Sequence, residues 1–432
     1  MNQATKDFIR EHTEADVRQL ALRGTKDTEV DLTFALEQIA GRQMARTKIP
    51  SWAIVEDIIY PPHLSMEQCS SEQTARYKAS IAGEGALVVD LTAGFGVDMA
   101  FISQGFERAV HVERQPSLCA ISSENYKRLG LKHIEVVCGD GIDYLHQLDH
   151  ADLVFIDPAR RDEHGSRTYG IADCTPNVLE ILDEMVEKAD RVMLKLSPML
   201  DWRKAVEELK KVSEVHIVSV DNECKELLLM LSKDDKPLKI FCVNNENVFA
   251  FDGEANCPLS PPSSSTYHPS PITHLFEPNA SIMKAGCFEL MEQCFGVRQL
   301  DSNSHLFVSN TEIPEFPGRK FIIERMTTMN KHDLKIAFAG MEMHPQNTNA
   351  VFCACLNISS RMTLACAALP LSILMGDPVR ISRLTMRRNA SMSLSAVISL
   401  LLLVLWVYAV VPRNIIPYVS MTGAGVLALL RP

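Results

Sequence analysis

The sequence predicts an α/β protein: a doubly wound parallel sheet, with a helical segment before it and a small α+β domain after it. Seven short apolar runs carry the first part of that expectation: ALVVDL, AVHVER, IEVVCG, ADLVFID, RVMLKLS, VHIVSV and ELLLML. Helical stretches such as 117–129 and 176–188 alternate with them, and continuous apolar strands bounded by helices indicate a parallel sheet covered on both faces. The second observation is a small-residue turn, TAGFG, directly after the first run. The third is composition, since 46% apolar and 22% charged residues exclude a disordered or collagen-like chain.

Residues 1–80 read as a helical N-terminal segment. DFIREH, EADVRQLALRG and VDLTFALEQIAGRQMARTK place apolar residues at i, i+3, i+4 and i+7 without internal proline. Prolines 50, 61 and 62 mark 51–62 as a break. A further helix is predicted over 70–81, with Ser70 or Ser71 as N-cap and Glu72 in its first turn. This segment is either an independent bundle or a lid. The N-terminus is charged from the sixth residue and lacks an apolar core, which predicts no signal peptide.

The sheet domain is expected over 81–250, and the proline- and serine-rich stretch 251–272 reads as a linker. Residues 273–335 form a small α+β candidate, with a helix opening near Asn279 and strands at HLFVS and KFIIERM. Beyond Lys335 the composition changes: no lysine remains, the only acids are Glu342 and Asp377, and seven arginines leave this part at +5. The whole chain carries −11, so residues 1–335 carry −16. Residues 336–432 are thus an atypical apolar tail. Its uncharged run 396–411, extended to 394–411, approaches the roughly 20 residues of a membrane-spanning helix. The tail is either a C-terminal membrane anchor or a sequence outside the original reading frame. The 12 cysteines show no zinc-ligand spacing, which predicts reduced thiols, a cytoplasmic protein and no metal.

The residues that carry chemistry lie at strand ends. In VVDLTAGFGVD, residues 88–98, a strand ends in Asp90 and the turn Thr92-Ala93-Gly94-Phe95-Gly96 opens a helix. Glycines there let a ligand approach the backbone. Met99 replaces the third glycine of a dinucleotide fingerprint, and Asp90 would repel a pyrophosphate. A cationic, phosphate-free nucleoside such as S-adenosylmethionine fits better. Glu113 ends the second strand, where a carboxylate serves a ribose diol in a Rossmann-like site. Gly139-Asp140 ends the third, within reach of an adenine amine, and Asp157-Pro158-Ala159-Arg160-Arg161 follows the fourth.

The order DLTAGFG, acidic strand end, GD, DPAR resembles class I S-adenosylmethionine-dependent methyltransferases. With EPNASIMKAG, NSHLFVSN and FPGR, the layout over about residues 1–335 resembles bacterial methyltransferases carrying a THUMP-like C-terminal domain. The resemblance implies S-adenosyl-L-methionine as cofactor and RNA, tRNA or rRNA, as substrate. It implies that Asp90, Ala93, Gly94, Gly96, Glu113 and Asp140 bind the cofactor and that Asp157 faces the substrate, with Asp157, Pro158 and Arg160 as the candidate catalytic residues. Where amine-directed nucleic-acid methyltransferases carry a base-stacking aromatic, this chain has Arg160, and Tyr169 is a substitute. Arg161, Arg167 and Tyr169 are candidate substrate contacts, although pairing of the arginines with Asp162 and Glu163 is an equal reading. The fifth run, LKLSP, has no cysteine for pyrimidine C5 chemistry, so transfer to nitrogen or oxygen is expected. The alternatives are a small-molecule or protein methyltransferase, or a non-catalytic S-adenosylmethionine-binding protein.

Overall fold

Side-chain caps open the N-terminal helices in this computed structural model, which describes residues 2–159, 170–234, 236–253, 257–258, 272–301, 304–328, 419–422 and 426–431. Asn2, Asp16 and Asp31 accept from the third backbone amide beyond them, starting α1 (Gln3–Glu11), α2 (Val17–Arg23) and α3 (Leu32–Lys48). Helix α4 (Pro50–Ala53) uses its first proline at a position whose N–H is not needed, so the expected break begins with a helical turn. After it, the chain is held in extended form by two buried amide side chains. Gln38 donates to the Tyr60 carbonyl at 2.9 Å and accepts from the Tyr60 amide at 2.8 Å. Asn125 does the same for Ile59, at 2.8 and 2.9 Å. Helix α5 (His63–Gln68) and α6 (Glu72–Ala82) follow, α6 with Ser71 as N-cap.

Two compact units divide the chain after Leu259. In the first, β1 (Gly85–Asp90), α7 (Val97–Ile102), β2 (Phe106–Glu113), α8 (Pro116–Arg128), β3 (Ile134–Cys138), α9 (Gly141–Gln147), β4 (Ala151–Ile156), α10 (Val178–Lys188) and β5 (Ala189–Leu196) alternate as the sequence predicts. Their strands pair in parallel in the order β3-β2-β1-β4-β5. Helix α11 (Trp202–Leu209) leads to β6 (Val212–Val220) and β7 (Glu223–Ser232).

The first five strands form the doubly wound part the sequence predicts, and beyond them the sheet is no longer parallel. Strand β7 inserts between β5 and β6 and runs antiparallel to both. The cause is the two-residue turn Asp221-Asn222, with φ of 51° and 62°, a left-handed pair that closes only a tight hairpin. Beyond it, β8 (Lys239–Asn244), β9 (Asn247–Asp252) and β10 (Cys257–Pro258) extend the sheet. Cys257 pairs with Asp252 and Pro258 with Phe251, so the segment expected to be linker from 251 still carries sheet hydrogen bonding.

The N-terminal helices pack on this sheet instead of forming a bundle apart. Trp52, Tyr60 and Met66 join Phe95, Phe101, Phe106 and Phe155 in one apolar cluster. Lys78 on α6 is fully buried and reaches both oxygens of Glu226 on β7 at 2.7 Å.

The second unit contains β11 (His274–Pro278), α12 (Ala280–Ala285), α13 (Phe288–Phe295), β12 (Arg298–Gln299), β13 (Phe307–Ser309) and β14 (Gly318–Thr328). Asn279 caps α12, where the sequence expected a helix to open. Two strands from the tail, β15 (Val419–Thr422) and β16 (Val426–Arg431), complete an antiparallel sheet of order β12-β13-β11-β14-β16-β15. The expected membrane segment 394–411 lies outside the described residues. Among the described residues, no helix is long and apolar enough to cross a membrane.

Removing one member of a buried ion pair strands the other, at a cost of about 3–5 kcal/mol. Lys78→Met is therefore expected to lower unfolding stability by that amount in urea titration. Lys78→Met combined with Glu226→Gln is expected to recover part of the loss. A fully stable single variant would show that the pair does not hold α6 to the sheet.

Candidate active site

A cleft of about 320 Å³ opens at the carboxyl ends of β1 to β5. Asp90, Ala93, Gly94, Gly96, Glu113, Asp140 and Asp157 all line it, so the strand-end acids and the glycine turn of the sequence reading converge. Asp90 is only 1% exposed and accepts from the Thr92 amide at 2.9 Å. Burial pushes its carboxyl well above the usual range, and Asp98 and Asp157 add to the effect against the Thr92 hydrogen bond and Lys195.

The turn after β1 needs its glycines for different reasons. Gly94 has φ of 56° and open space where a Cβ would stand, and its amide donates to Glu113 Oε2 at 3.0 Å. Gly96 has φ of 83°, and a Cβ there would overlap the Tyr126 hydroxyl. That hydroxyl donates to the Gly96 carbonyl at 3.1 Å and lies 2.8 Å from His111 Nδ1. Burial pushes the His111 imidazole down to about 3, so it is neutral, and Nδ1–H is the donor to Tyr126.

Glu113 and Asp140 stand at the ends of β2 and β3. Glu113 is buried, and its Oε1 accepts from the Gln115 amide at 2.7 Å, which leaves each oxygen a further lone pair. Asp140 is exposed at the rim and caps α9 through the Ile142 amide at 2.8 Å.

At the opposite end, the Asp157 amide donates to Thr92 Oγ1 at 2.7 Å, and Asp157 Oδ2 accepts from Lys195 Nζ at 2.5 Å. Ser70, just before α6, donates to Asp98 Oδ2 at 2.7 Å and accepts from Lys78 and Lys195 at 3.2 Å each. Lys78 also lies 3.1 Å from Asp98 Oδ1. A chain of alternating charge thus runs Glu226, Lys78, Asp98, Lys195, Asp157. Burial would weaken the Lys195 ammonium, but Asp157, Asp98 and Glu226 outweigh it and hold its pKa above the usual lysine range. Burial alone would raise Asp98, yet Lys78 and Lys195 hold its carboxyl below the ordinary range.

Pro158 is buried and Ala159 lines the cleft, exchanging two 2.8 Å backbone hydrogen bonds with Thr175. Arg160, Arg161, Arg167 and Tyr169 lie outside the described residues. Sequence reasoning missed Lys78, Lys195, Asp98, Glu226 and Ser70. A signal existed: RVMLKLS and KELLLML each carry a charge inside or against an apolar strand, and such a charge needs a buried partner. Among the described residues no cluster suited to a metal ion occurs.

The family model for protein-L-isoaspartate(D-aspartate) O-methyltransferase matches residues 75–159, and one for a ferredoxin-like domain matches 274–317. Two uncharacterized S-adenosylmethionine-dependent methyltransferases of Mycobacterium tuberculosis are each 28% identical over 165 residues, 38% of this chain and 44% of theirs. Ribosomal RNA small subunit methyltransferase J of Legionella pneumophila is 30% identical over 91 residues, 19% of this chain and 37% of that protein. The chain thus spans less than half the length of the curated relatives it matches. A crystal structure of a candidate methyltransferase from Porphyromonas gingivalis W83 superposes with a TM-score of 0.70 at 24% identity, covering 99% of this chain and 97% of that one. The chain thus shares the fold of that crystal structure. Within the first unit, the residues matched by the first family model run from α6 through β4 and Ala159, and so include Asp90, Glu113 and Asp157.

The neutral, buried His111 sets a pH dependence. Its folded pKa is depressed from 6.5 to about 3, so its contribution to stability is full above pH 6.5 and is lost as pH falls toward 3. Replacing it with Gln is expected to flatten the acid limb of stability against pH by about 1.4 kcal/mol per pH unit between pH 6 and 4. Urea unfolding across that range measures the slope, and an unchanged slope would refute the assignment.

Proposed function

We propose that this chain is an S-adenosylmethionine-dependent methyltransferase acting on RNA, tRNA or rRNA, with transfer to a nitrogen or oxygen. The observation that carries the reading is the convergence of Asp90, Glu113, Asp140 and Asp157 on one cleft around a glycine turn. The residues present fit the cofactor. Glu113 keeps lone pairs for a ribose diol, and the space beside Gly94 admits a ligand against the backbone. Beneath them, the three carboxylates and two ammonium groups of the charge chain, which ends on the half-exposed Asp157, leave one formal negative charge, which suits a cofactor of net charge +1.

In this reading Glu113 binds the ribose, Asp140 the adenine, and Asp90 with Ala93, Gly94 and Gly96 the methionine side. S-adenosylmethionine supplies an electrophilic methyl on a sulfonium whose leaving group departs neutral. The protein's task is then mainly alignment of the acceptor, an orientation effect. Lys195 occupies Oδ2 of Asp157, which leaves Oδ1 and the Pro158 carbonyl as acceptors for an amine or hydroxyl of the substrate. Arg160, Arg161, Arg167 and Tyr169 would engage the target base and its phosphates. An RNA acceptor is supported by the match to a ribosomal RNA methyltransferase and by the THUMP-like resemblance of the C-terminal domain. The protein-directed family model matching 75–159 favours a second reading, methylation of a protein.

Calorimetric titration with S-adenosylmethionine, followed by tritiated methyl transfer to unmodified rRNA and tRNA transcripts, tests the proposal. Saturable binding is expected, weakened at least tenfold in Glu113→Ala through lost charge-assisted hydrogen bonds. Folded protein that binds no cofactor would end the methyltransferase reading. Binding with transfer only to protein acceptors would replace RNA as the substrate.

A further inference from the structure

The helical N-terminal segment supplies part of the cleft wall. Ser65, Gln68, Cys69 and Ser70, from α5 and the turn into α6, line it together with Asp98, Asp157 and Lys195. Ser70 contacts both Asp98 and Lys195, so this turn stands at the β1–β5 side, away from Glu113 and Asp140. A nucleoside held at Glu113 and Asp140 in the same cleft would have the turn within its lining for the amino-acid arm.

That arm is a zwitterion and needs two kinds of partner. Acceptors for its ammonium are abundant, since Asp90, Asp98 and Asp157 all lie there. On the α5–α6 side of the cleft, side-chain donors for its carboxylate are few. Lys195 spends one N–H on Asp157 and one on Ser70, and at 3.6 Å its contact with Asp98 is an ion pair beyond hydrogen-bond length. The half-buried Ser65 hydroxyl and the exposed Gln68 amide line the same wall and have no side-chain partner among the described residues.

We propose that the α5–α6 turn builds the carboxylate subsite of the cofactor, with Ser65 and Gln68 donating to the methionine carboxylate and the remaining Lys195 N–H completing it. The helical segment is then a component of the cofactor site. This inference rests on the cofactor being S-adenosylmethionine.

The test is a calorimetric comparison, on the full chain, of S-adenosylmethionine with decarboxylated S-adenosylmethionine, which lacks only the carboxylate. The wild type is expected to prefer S-adenosylmethionine by roughly tenfold or more, the scale of hydrogen bonds to a charged group. Ser65→Ala combined with Gln68→Ala is expected to reduce that preference to near unity while leaving affinity for the decarboxylated ligand and the thermal midpoint unchanged. Gln68→Glu is expected to weaken S-adenosylmethionine more than the decarboxylated ligand. Equal weakening of both ligands in the double variant, no change in either, or no preference in the wild type would each overturn the subsite. A wild type that binds neither ligand would overturn the cofactor reading beneath it, a distinct result.

Discussion

The charge chain Glu226–Lys78–Asp98–Lys195–Asp157, buried except at its half-exposed last carboxylate, is the constraint on which the rest of the first unit depends. Each ion taken from water costs several kcal/mol, and the cost is met only when every member keeps its partner and geometry. Lys78 has no exposed side-chain surface and Glu226 only 4%, so neither has water as an alternative. These five residues come from α6, α7, β5, β7 and the loop after β4. None of those elements moves without breaking a contact between opposite charges. A purely apolar contact would hold α6 on the sheet as firmly, but it would not fix which carboxylate faces the cleft.

The antiparallel insertion of β7 acquires a meaning from this chain. If the sheet had continued in parallel from β5, the strand beside β5 would be β6, which presents Val215 and Ile217 in its buried stretch. The tight Asp221-Asn222 turn instead returns the chain between them and brings Glu226 under α6. Glu226 lies opposite Val218 at the start of the buried part of β7, where the strand passes from exposed to enclosed. The hairpin thus places an acid at the depth where Lys78 needs one. Lys78 then faces Asp98, and Lys195 is left to hold Asp157.

Much of this was legible in the sequence, and the boundary of legibility is physical. Strand ends and caps are local events: Asp90, Glu113 and Asp157 end apolar runs, and Ser71 and Asn279 precede helical ones, so each was placed from its neighbours alone. The direction of β7 is set by two turn residues, and the apolar run Leu227–Leu231, enclosed throughout, reads the same in either direction. The Asp-Asn pair was the available signal. The pairing of Lys78 with Glu226 spans 148 residues and the clamp of Asn125 on Ile59 spans 66, and no local pattern encodes such partners. The two tail strands that extend the second sheet were unreadable for another reason: their composition breaks with that of the strands they join.

The site also separates acids by the state in which burial leaves them. Burial raises the carboxyl of the enclosed Asp90, whereas two ammonium groups hold that of Asp98 below the ordinary range. The floor of the cleft therefore offers a cationic ligand two different acids within one turn of chain. A ligand of single positive charge meets the one uncompensated carboxylate of the chain, while a pyrophosphate would meet acid on every side. The preference for a phosphate-free cationic nucleoside, first suggested by Asp90 beside a turn lacking its third glycine, thus follows again from how the charges beneath that turn are paired.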